Sequence, residues 1–176
     1  GPWDPEKGLL FDKKNILLDP YAKAVSGQRT WGTHWDPTYH ARVVKDSFNW
    51  GDMPQSKKEL CDLIIYELHV RGFTVHESSG VQNRGTFAGL MEKIPYLREL
   101  GINAVELMPI FEFDETMNAR EINGERLLEY WGYNTVSFFA PNTSFTSVNE
   151  YNREGTELKT LIKALHDNGI EVILDV

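Results

Sequence analysis

After residue 61 the apolar positions alternate between a strand rhythm and a helical one. Leu63-Ile64-Ile65-Tyr66-Glu67-Leu68-His69-Val70 is dominated by β-branched and aromatic residues and predicts a strand, closed by Gly72. Leu90, Ile94, Leu97 and Leu100 then fall on one helical face, which predicts a helix between Thr86 and Leu100. Pro95 lies inside it, so either the helix kinks there or a second turn begins with Pro95 as its first residue. Gly101 suits the position just past a helix end. Ile102-Asn103-Ala104-Val105-Glu106-Leu107-Met108 reads as the next strand, stopped by Pro109. The pattern then repeats: Leu158, Leu161, Ile162 and Leu165 form a stripe, Gly169 ends it, and Ile170 to Val176 is a third strand. A shared Gly-Ile junction joins helix to strand both times. Strand, helix, strand, helix, strand is the grammar of right-handed βαβ units in a parallel sheet. The near-continuous apolar strands predict that both sheet faces are covered.

Residues 1–60 lack this periodicity. They are rich in Pro, Gly, Trp and Asp; Ile16-Leu17-Leu18 ends at the turn signal Asp19-Pro20, and Pro37 and Pro54 punctuate the rest. The expectation is an irregular segment lying over a core that it does not organise. A long connection, Ile110 to Arg153, separates the second strand from the second helix. It far exceeds the roughly 2–6 residues usual between strand and helix, and such insertions at strand C-termini build active sites in parallel α/β folds.

Charge and cysteine content narrow the classes. A net charge of −8 argues against a nucleic-acid partner, which needs a clustered basic face. Cys61 is the single cysteine, so no intrachain disulfide is possible and a reducing compartment is the default. No apolar run approaches the roughly 20 residues of a membrane span. Gly1-Pro2-Trp3-Asp4-Pro5 does not resemble a signal peptide; it reads like the middle of a loop.

Glu67, Glu106 and Asp175 sit on or at the end of three successive strands. Paired carboxylates across a cleft are what glycoside hydrolysis uses, one protonating the leaving oxygen and the other attacking or activating water. A carboxylate on a parallel strand is also often a partnered structural group. The aromatic run Tyr130-Trp131-Gly132-Tyr133-Asn134-Thr135 suits a sugar site, because aromatic faces stack on pyranose rings while amides and hydroxyls bind their edges; packing of the loop is the competing reading. Trp3, Trp31, Trp35 and Trp50 are either sugar platforms or covers for apolar surface. His69, His76 and His166 lack metal-ligand spacing, and no P-loop, GxGxxG or GxSxG occurs.

Several long stretches carry a family resemblance: Asp62-Leu-Ile-Ile-Tyr-Glu-Leu-His-Val-Arg-Gly-Phe-Thr74, Arg84-Gly-Thr-Phe-Ala-Gly89, Leu100-Gly-Ile-Asn-Ala-Val-Glu-Leu-Met-Pro109, Tyr130-Trp-Gly-Tyr-Asn-Thr135, Phe138-Phe-Ala-Pro141 and Gly169-Ile-Glu-Val-Ile-Leu-Asp-Val176. Together they resemble the isoamylase and glycogen-debranching branch of the α-amylase family. Gly1-Pro-Trp-Asp-Pro5 and Leu17-Leu-Asp-Pro-Tyr-Ala-Lys23 are similar to the segment leading out of that family's N-terminal β-sandwich.

The resemblance implies an α/β fold in which residues 61–176 form the first three strands of a (β/α)₈ TIM barrel. Residues 1–60 are then a linker after a β-sandwich, and the barrel is truncated after its third strand. It implies retaining hydrolysis of α-1,6 branch linkages in glycogen or starch, by carboxylates on later strands, so that no catalytic residue is expected in this chain. Tyr133 matches the tyrosine that stacks on sugar at the cleavage subsite. Asp175 matches a structural aspartate of the first conserved region, and Glu67 and Glu106 match positions that are not catalytic, which withdraws the carboxylate guess. Some relatives bind calcium just after strand two; Glu112 matches one such position, but Phe113 stands where an oxygen ligand is needed, so no metal and no cofactor are expected. The implied partner is an α-glucan, with no nucleic acid and no membrane, and the implied location is cytoplasmic, or plastidial in a plant. Unpaired strand edges lead to an expectation of self-association. Alternative readings are a pullulanase, a glucan-branching enzyme, or a noncatalytic glucan-binding module.

Overall fold

The computed structural model describes residues 1–33, 35, 38–52, 58–117 and 119–176. Pro37 and Pro54, read above as punctuation, lie outside the described residues. The chain opens with two minimal strands, β1 (Trp3–Asp4) and β2 (Leu9–Leu10), paired antiparallel. Three strands then build a parallel sheet in the order β3 (Ile65–Leu68), β4 (Ala104–Leu107), β9 (Glu171–Leu174). Helices α1 (Val70–Thr74), α2 (Phe87–Glu92) and α3 (Ile94–Leu100) connect the first pair. Between β4 and α4 (Arg153–Asp167) lie β5 (Phe111–Phe113), β6 (Arg120–Ile122), β7 (Glu125–Leu127) and β8 (Thr135–Pro141).

The alternation of βαβ units is as expected, and local chemistry sets its boundaries. Thr86 accepts a hydrogen bond from the Gly89 N–H and so caps α2, while Pro95 sits in the first turn of α3, where its missing N–H costs nothing. The expected helix is therefore two, broken at Lys93. Gly101 ends α3 with φ +83, a left-handed conformation that glycine adopts without strain. The first strand is shorter than expected. His69 accepts from the Gly72 N–H, and this side-chain cap turns Val70 to Thr74 into a helical turn in place of strand.

The register pairs Tyr66 with Val105 and Val172, and Leu68 with Leu107 and Leu174. On that face Leu68, Val105 and Leu107 join Leu90, Leu97, Leu161 and Leu165 in one core, with Tyr66 and Val172 against it. Side chains alternate along a strand, so Ile65, Glu67, Ala104, Glu106, Ile173 and Asp175 occupy the opposite face. No helix packs there among the described residues: Ile65 is 44% exposed, Glu67 is exposed and Glu106 half-buried. Within these residues one face of the sheet carries the helices and the other stays largely open. Among the described residues β3 and β9 each pair only with β4.

The long connection is a structured insert. β5 pairs antiparallel with β8, and β6 with β7 in a hairpin. Ala22, Val25 and Arg42 lie against this insert and the start of α4. Val25 bridges to Ala41, Ala22 and Val25 pack on Ala140, and the Arg42 guanidinium pairs with Glu154, whose side chain is 2% exposed. The described helices include none long and apolar enough to cross a membrane.

Candidate functional site

Tyr133 is delivered to the C-terminal end of the parallel sheet by the insert. Its hydroxyl donates to Asp175 Oδ2 at 2.5 Å, just past the end of β9. This hydrogen bond, then desolvation, then the charges of Asp175, Glu67 and Glu106 push the phenol up to about 12. The three strand carboxylates and Tyr133 therefore form one constellation over the strand ends, where ligands bind in parallel α/β folds. Tyr133 is 55% exposed, which leaves its side chain accessible to a ligand. Trp131 is 54% exposed beside it and meets Tyr130 edge-on, with centroids 5.3 Å apart.

The backbone of this aromatic run is pinned while two of its rings stay exposed. Gly132 has φ +87, and a Cβ there would lie 2.8 Å from the Phe113 ring, so only glycine fits. Asn134 donates from its amide to the Asp114 carbonyl at 3.0 Å. The main chain of the run and the Tyr130 ring pack, while Trp131 and Tyr133 stay exposed. Of the tryptophans, Trp31 stacks on Phe145 and meets Phe113 edge-on, and Trp50 is half-buried against Phe48, so these two cover apolar surface. Trp3 and Trp35 are exposed, with Arg126 lying over the Trp35 ring.

A second cluster, missed by sequence reasoning except for Glu112, lies where the insert meets residues 28–32. Glu112 is fully buried, and its carboxyl receives the N–H groups of Gln28 at 3.1 Å and Thr143 at 2.7 Å, with the Thr143 hydroxyl at 3.3 Å. Burial dominates and pushes this carboxyl up to about 8 against the pull of those donors. Asp114 receives the Thr116 N–H and hydroxyl and the Gln28 amide, and Glu115 receives the Gly32 N–H. Burial raises Glu115 as well, and Tyr39 is raised first by burial and then by the three carboxylates. Strand alternation puts Glu112 on the face opposite Phe111 and Phe113, and its partners lie 84 and 31 residues away, so no sequence pattern announces its burial.

Those partners also decide the fit to a cation. Both Glu112 oxygens already face donors, Phe113 lies in the aromatic core, and the described residues hold no group of three or more His, Cys, Asp or Glu that could ligate a metal.

Parallel strands joined by helices on one face, with aromatic and carboxylate side chains gathered at the strand C-termini, define a segment of a (β/α)-barrel enzyme domain. The chain belongs to the alpha-amylase family, matching the model of its catalytic domain over residues 43–176. Isoamylase 1, chloroplastic, of Arabidopsis thaliana is 43% identical over the whole chain, which spans 24% of that relative. A glycogen debranching enzyme of Salmonella paratyphi B is 34% identical, again over the whole chain and 28% of its own length. Among solved structures, a type I pullulanase of Bacillus subtilis complexed with maltose aligns with a TM-score of 0.69 at 31% identity, over 90% of this chain and 22% of that one. The chain thus spans about a quarter of the curated relatives it matches.

Proposed function

We propose that these residues supply the opening of the catalytic barrel of a retaining α-1,6-glucosidase of the isoamylase type, acting on branched α-glucans such as glycogen or starch. In this reading residues 61–176 are the first three barrel strands with their helices and insert. Residues 1–60 link them to a preceding β-sandwich, and the cutting carboxylates stand on later strands. One observation carries the proposal: the insert places Tyr133 over the C-terminal ends of the parallel strands, hydrogen-bonded to Asp175, with its side chain exposed. The uncovered sheet face bearing Ile65, Glu67 and Glu106 fits the inner wall of a closed barrel. Identity to isoamylases over the whole chain supports the same choice.

The test replaces Tyr133 in the enzyme that carries these residues. With Tyr133→Ala, kcat/KM on a branched glucan should fall at least tenfold, about 1.4 kcal/mol of transition-state binding, and Tyr133→Phe should retain most of it. An unchanged kcat/KM in Tyr133→Ala would overturn the assignment. The 176-residue chain alone should release no branches from glycogen. The pullulanase reading has support in the aligned structures; branch-length preference of the whole enzyme separates it from isoamylase.

A further inference from the structure

We propose that His69 is the positioning residue that sets where the Tyr130–Tyr133 segment, and with it the Tyr133 ring, stands over the strand ends. The proposal rests on the functional reading above. His69 follows β3 directly and is only 6% exposed. Its Nε2 lies 2.7 Å from the Tyr130 carbonyl, which can only accept, so Nε2 carries the hydrogen. Its Nδ1 accepts from the Gly72 N–H at 3.0 Å, so Nδ1 is bare. One neutral tautomer satisfies both bonds. Adding a proton would set two N–H groups against each other, and burial, together with the neighbouring Arg71, holds the imidazole below its ordinary range and so neutral.

The ring does as much as the nitrogens. It stacks on Tyr130 with centroids 4.2 Å apart and planes 13° from parallel, and the edges of Trp31 and Phe145 close around it. Tyr130 is also seated on Gly72, where a Cβ would come 1.7 Å from its hydroxyl. Its own carbonyl is held by His69, and two residues later Gly132 is wedged against Phe113. These two fixed points leave little freedom for Tyr133, the next residue, which reaches Asp175. Arg71, the charged neighbour on α1, is itself engaged over the Trp31 ring. A sugar-stacking ring gains from this arrangement because its orientation is settled before the ligand arrives.

Two variants separate the tether from the helix cap. His69→Asn keeps an acceptor for the Gly72 N–H and loses the reach to Tyr130; His69→Gln carries an amide N–H near the former Nε2 position. In the enzyme carrying these residues, His69→Asn should speed amide exchange across residues 131–134 at least tenfold and lower kcat/KM on branched glucan about tenfold. His69→Gln should recover part of both, and in a Tyr133→Ala background His69→Asn should lower kcat/KM no further. Unchanged exchange would overturn the tether. Faster exchange with unchanged kcat/KM, or losses that multiply in the double variant, would overturn the positioning role. If Tyr133→Ala itself leaves kcat/KM intact, the functional reading fails, and the exchange data still judge the tether.

Discussion

Two trios of carboxylates lie in one chain and are treated in opposite ways. Glu67, Glu106 and Asp175 sit at the open ends of parallel strands, exposed or half-buried, with the Tyr133 hydroxyl reaching Asp175. Glu112, Asp114 and Glu115 are buried where the insert meets residues 27–32: both Glu112 oxygens and one oxygen each of Asp114 and Glu115 receive N–H or hydroxyl donors from Gln28, Gly32, Thr116 and Thr143, while Glu115 Oε2 is buried without a donor. The same side-chain chemistry thus serves presentation in one place and fastening in the other. Environment decides the difference: burying an acid costs free energy that donors to its oxygens offset, while a solvated one keeps its oxygens available. The fastening trio ties residues 27–32 to β5 and to the turn after β8, and so holds the insert that carries Tyr133.

The contrast breaks most severely at Gly27. A Cβ there would lie 2.0 Å from Glu112 Oε1 and 2.3 Å from Thr143 Oγ1. The carboxyl cannot swing aside without abandoning its donors, so Gly27→Ala should cost roughly 3 kcal/mol or more, at the upper end of overpacking penalties. Urea unfolding reads this directly. A loss under about 1 kcal/mol would show that the cluster repacks freely.

Glu112→Gln removes the titratable proton but keeps the shape. Against the ionised carboxylate, above about pH 8, its amide N–H₂ would face the Gln28 or Thr143 N–H in place of an acceptor, leaving one buried donor unmet at a cost of about 1–3 kcal/mol. The pH dependence sharpens this. The folded carboxyl titrates near 8, above its ordinary value, so its stabilising contribution is full below the ordinary carboxylate range and lost as pH rises through about 8. Stability of the unsubstituted chain should therefore decline across that window, and in Glu112→Gln the decline should be smaller. Equal slopes in the two proteins would show that Glu112 does not titrate there.

This pairing also shows what could be read from the residues alone. The three strands, the helices between them and the Gly-Ile junctions were legible, because burial against a sheet imposes periodicities of 2 and 3.6 on nearby residues. The end of β3 was not. Gly72 looked like a strand stop, whereas His69 caps a helical turn that contains it. The order inside the Ile110–Arg153 connection was hidden as well, since β5 is short, its pairing with β8 is bulged, and 21 residues separate the two. At the candidate site, Tyr133 and the strand carboxylates were named from the residues, but their convergence is a product of the register. The buried trio was the least legible, because its partners come from Gln28 and Thr143, on either side of β5, and a hydrogen bond between distant segments leaves no local pattern.

The smallest effects belong to the presented trio, and they test whether it is solvated in the way the comparison claims. Glu67→Gln and Glu106→Gln should change unfolding free energy by no more than about 0.5 kcal/mol, since no buried partner is left unmet. Their charges nevertheless reach Tyr133, whose phenol they help push up to about 12. Removing either negative charge stabilises tyrosinate, so each variant should lower the Tyr133 titration slightly, measured as the ultraviolet difference against a Tyr133→Phe reference. Asp175→Asn should lower it most, because the hydrogen bond from the phenol to that carboxylate is the largest cause of the shift. If Glu67→Gln or Glu106→Gln cost about 2 kcal/mol or more, or outweighed Asp175→Asn at Tyr133, the strand-end acids would be fasteners like the buried trio.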